Sequence, residues 1–548
     1  MKKKAAFLLA AIMTAASLAG CAAEKESTSR VISDSGSVIA ETPGTTEKSG
    51  NIYVLTETEA GYCADEADVF YMPEYYPYEE MPELNTEEYS ALEENGFRKV
   101  TVSPLSTFAA DVDTASYANV RRMLRNGYLI SDIPSGAVRA EEFINYFSYS
   151  YKGPEKGEPF GINVQIGPCP WNAEHKLAVI GLATEAIDFS EAPASNLVFL
   201  IDVSGSMDEE NKLPLLKEAF GMLAGELTEK DRVSIITYAN GNDVILDGVS
   251  GDKTDVILAA LDSLSADGYT NGGEGIQTAY RIAESHFIKG GNNQVILATD
   301  GDLNVGITNE SDLKDLITEK KKGGVFLSVL GFGMGNYSDT RLETLADCGN
   351  GNYSYIDTRN EARKVLVEEM GANLMTVAKD VKLQVEFNPA KVESYRQVGY
   401  ENRQMAAEDF ENDSKDGGEI GAGHSVTVLY ELVPASGSSE GSSLRYQDPD
   451  LTDTARTSDE WFCISVRYKE PEGETSRLLT YNIGEDACTD RPDGDFAFAA
   501  AVAEFAMVLS DSEYLADGSL EHVRDIAEEL KPSDDYRKEF IRMVLWAE

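Results

Sequence analysis

The string Asp202-Val203-Ser204-Gly205-Ser206 sets a carboxylate just ahead of two hydroxyls that are spaced by one glycine. On one tight loop, these residues place three hard oxygen donors together. Such a set suits Mg²⁺, which takes near-octahedral oxygen coordination and keeps some of its waters. Ser- and Gly-rich loops are common, so the string alone has moderate specificity. Other chemistries find less support. His175, His286, His424 and His522 are scattered, and there is no His-Glu-x-x-His string, which weakens zinc-peptidase and Ser-His-Asp readings. No Gly-x-x-x-x-Gly-Lys-Ser/Thr loop points to ATP. Gly437-Ser438-Ser439-Glu440-Gly441 matches Gly-x-Ser-x-Gly but lacks the preceding strand and following helix of a nucleophile elbow. Asp448-Pro449-Asp450 lacks the Gly and terminal Glu of a calcium-binding hand. Asp111-Val112-Asp113-Thr114 precedes a helix without following a clear buried strand, and reads as a helix N-cap or a turn.

The elements around Asp202 alternate strand and helix. A buried strand at 197–201 runs into the loop, and a helix follows at 213–227. Strands are expected at 232–238, 294–298 and 325–331, and helices at 255–264, 275–286 and 311–321, with a closing helix at 359–375. This alternation implies an α/β, doubly wound parallel sheet with helices on both faces. In that architecture ligands sit beyond the C-terminal ends of the strands, where the strand order switches. Strand patterns at 161–167 and 176–184 precede this unit, and others follow at 381–387, 424–433, 462–468 and 478–483. The α/β unit is therefore expected to be inserted into a β-sandwich. The chain ends in helices at 496–509, 520–529 and 535–546.

Asp-Val-Ser-Gly-Ser-Met at 202–207 resembles the first loop of von Willebrand factor type A domains, Asp-x-Ser-x-Ser. The family also places a Thr in a second loop and an Asp in a third. Thr270, within Asp267-Gly268-Tyr269-Thr270-Asn271-Gly272-Gly273, and Asp300, within Leu297-Ala298-Thr299-Asp300-Gly301-Asp302, stand in those places. The resemblance covers 196–375 and implies a Rossmann-like fold with a metal-ion-dependent adhesion site. Ser204, Ser206 and Thr270 would offer hydroxyls, while Asp202 and Asp300 would act directly or through water. Mg²⁺ is the expected cation, with Mn²⁺ or Ca²⁺ as substitutes. With neutral hydroxyls making up most of the set, an open coordination position would remain to take a carboxylate from a protein partner. Asp111 to Tyr117, Glu141 to Phe147, Gly399 to Arg403 and Gly418 to His424 resemble the regions that bracket the A domain in a family of secreted bacterial proteins.

Met1-Lys2-Lys3-Lys4, an apolar run to Ser17 and Leu18-Ala19-Gly20-Cys21 resemble a lipoprotein signal with a lipobox, implying lipidation at Cys21. Acyl chains there would supply about 0.8 kcal/mol per buried methylene. No later apolar run is long enough to span a bilayer, so the lipid is the expected membrane contact. Cys63, Cys169, Cys348, Cys463 and Cys488 form no close pair, and neither a zinc site nor a dense disulfide framework is indicated. The formal charge of −48 over 548 residues excludes nucleic acid as a partner. The expected organisation is a signal peptide at 1–21, a flexible acidic tether at 22–95, an N-terminal associated region at 96–195, the A domain at 196–375 and a C-terminal associated region at 376–548. The expected role is binding without catalysis, on the extracytoplasmic face of a bacterial membrane. The alternatives are an envelope scaffold factor without external ligand and, with little support, a hydrolase in the flanking regions.

Overall fold

A strand buried on both faces reads as an unbroken apolar run, whereas one that faces a core on one side alternates. Both patterns occur in the computed structural model, which describes residues 87–548 apart from 187–191, 269–274, 302–309, 336, 370–374, 437–450 and 472. The expected signal, Cys21 and most of the expected tether lie outside the described residues. The chain opens with β1 (Arg98–Lys99), β2 (Leu105–Ala109), α1 (Ala115–Arg125), α2 (Ala140–Asn145), β3 (Gly161–Cys169) and β4 (Asn172–Ala183).

The unbroken pattern belongs to the α/β unit. Its strands are β5 (Ser195–Asp202), β6 (Arg232–Tyr238), β7 (Asn242–Ser250), β8 (Asn292–Thr299), β9 (Phe326–Phe332) and β10 (Tyr353–Ile356). Its helices are α3 (Leu213–Ala224), α4 (Thr254–Asp262), α5 (Gly275–Ser285), α6 (Glu310–Lys322), α7 (Asp339–Cys348) and α8 (Arg359–Arg363). The sheet order is β10-β9-β8-β5-β6-β7, parallel except for β7, which runs antiparallel at the edge. Along β5, Val198 and Leu200 pack under α5 and α7, while Leu197, Phe199 and Ile201 pack under α3 and α4. The strand order reverses between β5 and β8, so the switch point lies at the end of β5.

The alternating pattern appears in the flanks, at its clearest in Phe462–Lys469, whereas Asn172–Ala183 and Ser425–Pro434, covered on both faces, carry continuous buried runs. β11 (Thr376–Phe387), β12 (Val392–Val398), β13 (Gly418–Gly421), β14 (Ser425–Pro434), β15 (Phe462–Lys469) and β16 (Arg477–Ile483) follow the α/β unit. β14 pairs with β4, and β11 pairs with β2, so strands from before and after the insertion complete the same sheets. Ile180 and Leu182 of β4 share a core with Val428 of β14, Leu383 of β11 and Ile464 of β15, which makes the two sheets a sandwich. On the outer face of the first sheet, Leu177, Val179 and Leu429 meet α1, α2 and the C-terminal helices Gly494–Leu509, Leu520–Glu529 and Asp535–Ala547. The insertion expected from strand order is the observed architecture.

Two details differ from expectation. Residues 87–95 belong to the folded body: Glu87 pairs with Arg122 at 2.7 Å and Glu94 with Arg396 at 2.9 Å. An acidic, aperiodic segment looks like tether because hydropathy does not reveal that buried arginines await its carboxylates. Within the expected closing helix, α8 ends at Arg363 and passes into a π turn at Lys364–Glu368, and β11 begins at Thr376, with 370–374 outside the described residues. The described cysteines Cys169, Cys348, Cys463 and Cys488 are free thiols.

Candidate metal centre

Asp202 closes β5, and its position follows from the sheet. β5 and β8 pair in parallel with Ile201 opposite Ala298, so Asp202 and Thr299 reach the same edge and Asp300 follows directly. The Asp202 carboxylate accepts the Ser204 backbone N–H at 2.9 Å and the Thr299 hydroxyl at 3.4 Å. Both Asp202 and Asp300 are fully buried. Burial pushes the Asp202 carboxyl up to about 6; hydrogen bonds from Ser204 pull it down, and Asp300 pushes it further up.

Local backbone geometry turns the hydroxyls to one side. After Ser204 the chain makes a 3-10 turn, Gly205–Asp208, pinned by the buried Met207. Ser204 Oγ and Ser206 Oγ stand 3.0 Å apart, with Ser206 exposed. The Gly205 N–H donates to the Gly268 carbonyl at 3.0 Å, and the Asp267 N–H donates to the Val203 carbonyl at 2.9 Å. Gly268 has φ +85°, and a Cβ there would lie 1.9 Å from the Asn240 side-chain nitrogen, so this close approach of loops requires glycine.

Four of the five expected site residues, Asp202, Ser204, Ser206 and Asp300, therefore meet at the switch point. Thr270, and with it Asp302, lies outside the described residues. Glu209 and Glu210 are exposed surface residues. Among the described residues no group of three or more His, Cys, Asp and Glu side chains could hold a metal. The oxygen set depends on hydroxyls. Two buried carboxylates flanked by paired hydroxyls form a donor set that fits a hard divalent cation.

One site neighbour escaped the sequence reading. Lys212, just before α3, is 3 % exposed. Its Nζ donates to the Ser206 carbonyl at 3.0 Å and lies 3.3 Å from Asp300 Oδ2 and 3.2 Å from Glu209 Oε1. Its stem passes over Gly333, at φ +75°, where a Cβ would fall 2.2 Å from Lys212 Cε. The sequence held no local signal for this, because the partners come from three loops.

The strings in the flanks meet elsewhere. Thr114 takes the N-cap position of α1 but makes no capping hydrogen bond. Asp111 and Asp113 instead receive Arg403 at 3.0 and 3.4 Å, and Asp113 also accepts the Tyr353 N–H of β10 at 2.9 Å. The cap half of the reading is thus corrected, since tertiary ion pairing outcompetes local capping, while the turn half holds: the Asp111 carboxylate accepts the Asp113 N–H at 3.0 Å. Asn145 donates to the Tyr400 hydroxyl at 2.9 Å and accepts the Thr427 N–H at 2.7 Å. Gly399, at φ +78°, passes Glu141 where a Cβ would lie 2.6 Å from its carboxyl oxygen. These strings form a junction between the α/β unit and the sandwich.

A six-stranded α/β sheet with an Asp-x-Ser-x-Ser loop at its switch point defines a von Willebrand factor type A domain, and the family model described as "von Willebrand factor type A domain" matches residues 196–369. The model described as "von Willebrand factor" matches 83–179, and that described as "Uncharacterized protein YfbK, C-terminal" matches 372–548. The chain belongs to the family of YfbK of Escherichia coli (strain K12), to which it is 42 % identical over 468 residues, covering 84 % of this chain and 80 % of that protein. It is also similar to human inter-alpha-trypsin inhibitor heavy chain H4, at 29 % identity over 28 % of this chain and 17 % of that one. Among solved structures, a von Willebrand factor type A protein from Catenulispora acidiphila covers 73 % of this chain and 91 % of its own, at 18 % identity and a TM-score of 0.41.

Proposed function

We propose that this protein binds a carboxylate on a protein partner through a divalent cation held by Asp202, Ser204, Ser206, Thr270 and Asp300. One observation carries the reading: two fully buried carboxylates and two adjacent hydroxyls converge at the sheet's switch point. Burying carboxylates without a full complement of positive charge is costly, and a cation ligated there relieves that cost. Mg²⁺ matches the hard donor set, with Mn²⁺ or Ca²⁺ as substitutes. A cation in this place would supply an open coordination position for an incoming oxygen. The chain's own part is to hold its donors rigid: β5 and β8 fix the carboxylates, and the 3-10 turn fixes the hydroxyls.

The role is one of interaction, in keeping with the type A domain, and involves no catalysis by this site. A lipid on Cys21 would hold the body on the extracytoplasmic face of a bacterial membrane. Among the described residues no helix is long and apolar enough to cross a membrane. The test is retention of envelope proteins by the chain in Mg²⁺, in chelator, and with Asp202→Ala. A partner retained only by the intact site in Mg²⁺ supports metal-dependent capture. Equal retention in all three arms refutes it and favours a scaffold role for the flanking regions.

A further inference from the structure

We propose that Lys212 is a built-in counter-cation that weakens metal binding in the free protein, so that cation and partner carboxylate bind as a cooperative pair. The proposal rests on the metal-dependent reading above. Its basis is geometric. A lysine is almost never fully buried without a charge partner, and this one sits 3 % exposed with Nζ 3.3 Å from the fully buried Asp300 and 3.0 Å from the carbonyl of Ser206. Its stem has a fitted channel: any side chain at Gly333 would collide with Lys212 Cγ, Cδ and Cε. Backbone bonds fix its root as well, since the Lys212 N–H donates to the Glu209 carbonyl and the Lys212 carbonyl accepts from Leu216. The ammonium is thus held at the site.

Charge arithmetic gives the consequence. Asp202 and Asp300 bring two negative charges, and Lys212 returns one positive charge. Glu209 reaches Lys212 at 3.2 Å, but its side chain is 55 % exposed and its charge is screened by water. With no divalent cation, the ammonium partly neutralises the buried pair and protects the fold. A divalent cation turns the net charge positive, and the fixed ammonium repels it in a medium of low dielectric. A third carboxylate, from the partner, balances these charges. Two ligands that each complete the other's site raise one another's affinity by the same factor.

Calorimetric titration of the full-length chain in detergent with MnCl₂ tests this. Lys212→Met preserves the apolar stem, and Lys212→Gln retains a donor toward Ser206 without the charge. Both variants should bind Mn²⁺ at least tenfold more tightly than the unaltered chain. In chelator both should melt below the unaltered chain, with the gap closing or reversing at saturating Mn²⁺. Acetate, against chloride at equal ionic strength, should tighten Mn²⁺ binding in the unaltered chain and do so less in either variant. A variant that folds and binds Mn²⁺ equally or more weakly overturns the counter-cation role while leaving the metal reading intact. If neither the unaltered chain nor a folded variant binds Mn²⁺, the metal reading falls and this proposal with it.

Discussion

The candidate metal centre and the junction between the α/β unit and its flanks both bury carboxylates, but they neutralise them differently. At the junction, guanidinium groups do the work. Arg121 reaches Asp357 at 2.5 Å, Glu361 at 2.7 Å and Glu539 at 2.7 Å; Arg139 engages Glu142 and, at 2.5 Å, Asp339; Arg403 gathers Asp111, Asp113, Glu343 and Asp347. At the metal centre the Lys212 ammonium stands beside Asp300, and among the described residues the Asp202 carboxylate receives neutral donors. A planar, five-donor guanidinium locks several carboxylates into one geometry; a lysine is a point charge. The lesson is that a count of acidic residues does not locate a binding site. What sets the candidate centre apart among the described residues is a pair of hydroxyls beside two buried carboxylates at a switch in strand order.

The largest effect should come from breaking the junction. Arg121→Met strands Asp357 and Glu361, whose side chains are at most 1 % exposed, and removing one partner of a buried ion pair costs about 3–5 kcal/mol. Urea unfolding of the chain should show that loss whether or not metal is present. Glu142→Gln, which withdraws charge from Arg139 and weakens the acceptor for the Ser116 N–H at 2.8 Å, should cost about 1.5–3 kcal/mol by the same measurement. If either variant unfolds like the unaltered chain, the junction is not what holds the α/β unit on the sandwich.

The metal centre should respond to the opposite manipulation. Mg²⁺ at a hundred times its dissociation constant should add about 2.7 kcal/mol to stability. Asp300→Asn should abolish that increment; it also takes from the buried Lys212 ammonium its carboxylate at 3.3 Å, so some stability is lost in chelator too, and the increment is read as the difference between the two melts of the same variant. Thermal melts in Mg²⁺ and in chelator decide it. An increment that survives in Asp300→Asn would place the cation elsewhere.

A third contrast is pH dependence. Burial pushes the Glu419 carboxyl up to about 8, with Asp416 adding to the shift, and Asn350 donates to Glu419 at 2.6 Å. A carboxyl raised in the folded state binds its proton there while the unfolded chain has released it. Stability therefore falls as pH rises from about 4.5 to about 8, by at most about 1.4 kcal/mol per pH unit. Glu419→Gln should flatten the fall in melting temperature across that window. An unchanged slope would assign the pH dependence to other groups.

Much of this is legible in the sequence. The run Leu197 to Ile201 is wholly apolar and ends in Asp202, so both the central strand and the start of the site could be read from one stretch. Period-two patterns on either side of the α/β unit placed strands of the sandwich, because its core takes alternate residues from β14 and β15. Other features depend on pairs remote in sequence. Lys212 and Gly333 fit one another across two loops, and Arg403 collects carboxylates from before and inside the α/β unit. Strand β7, Asn-Asp-Val-Ile-Leu-Asp-Gly-Val-Ser, is an exposed edge whose side chains lack clean alternation, so periodicity had nothing to detect.

The smallest expected effect makes the sharpest test of the comparison, because it lies inside the junction. Glu141 is next to Glu142 and equally buried, yet neither of its carboxyl oxygens has a side-chain donor among the described residues. Burial pushes its carboxyl well above the usual range, Glu401, Asp111 and Glu142 add to the shift, and the Tyr400 backbone tempers it. That shift favours the protonated acid, which an amide of the same shape imitates, so Glu141→Gln should change stability by less than about 1 kcal/mol. Its neighbour Glu142→Gln, in the same short helix, should lose more. Equal losses would mean that shape, and not the arginine network, sets the tolerance of this junction.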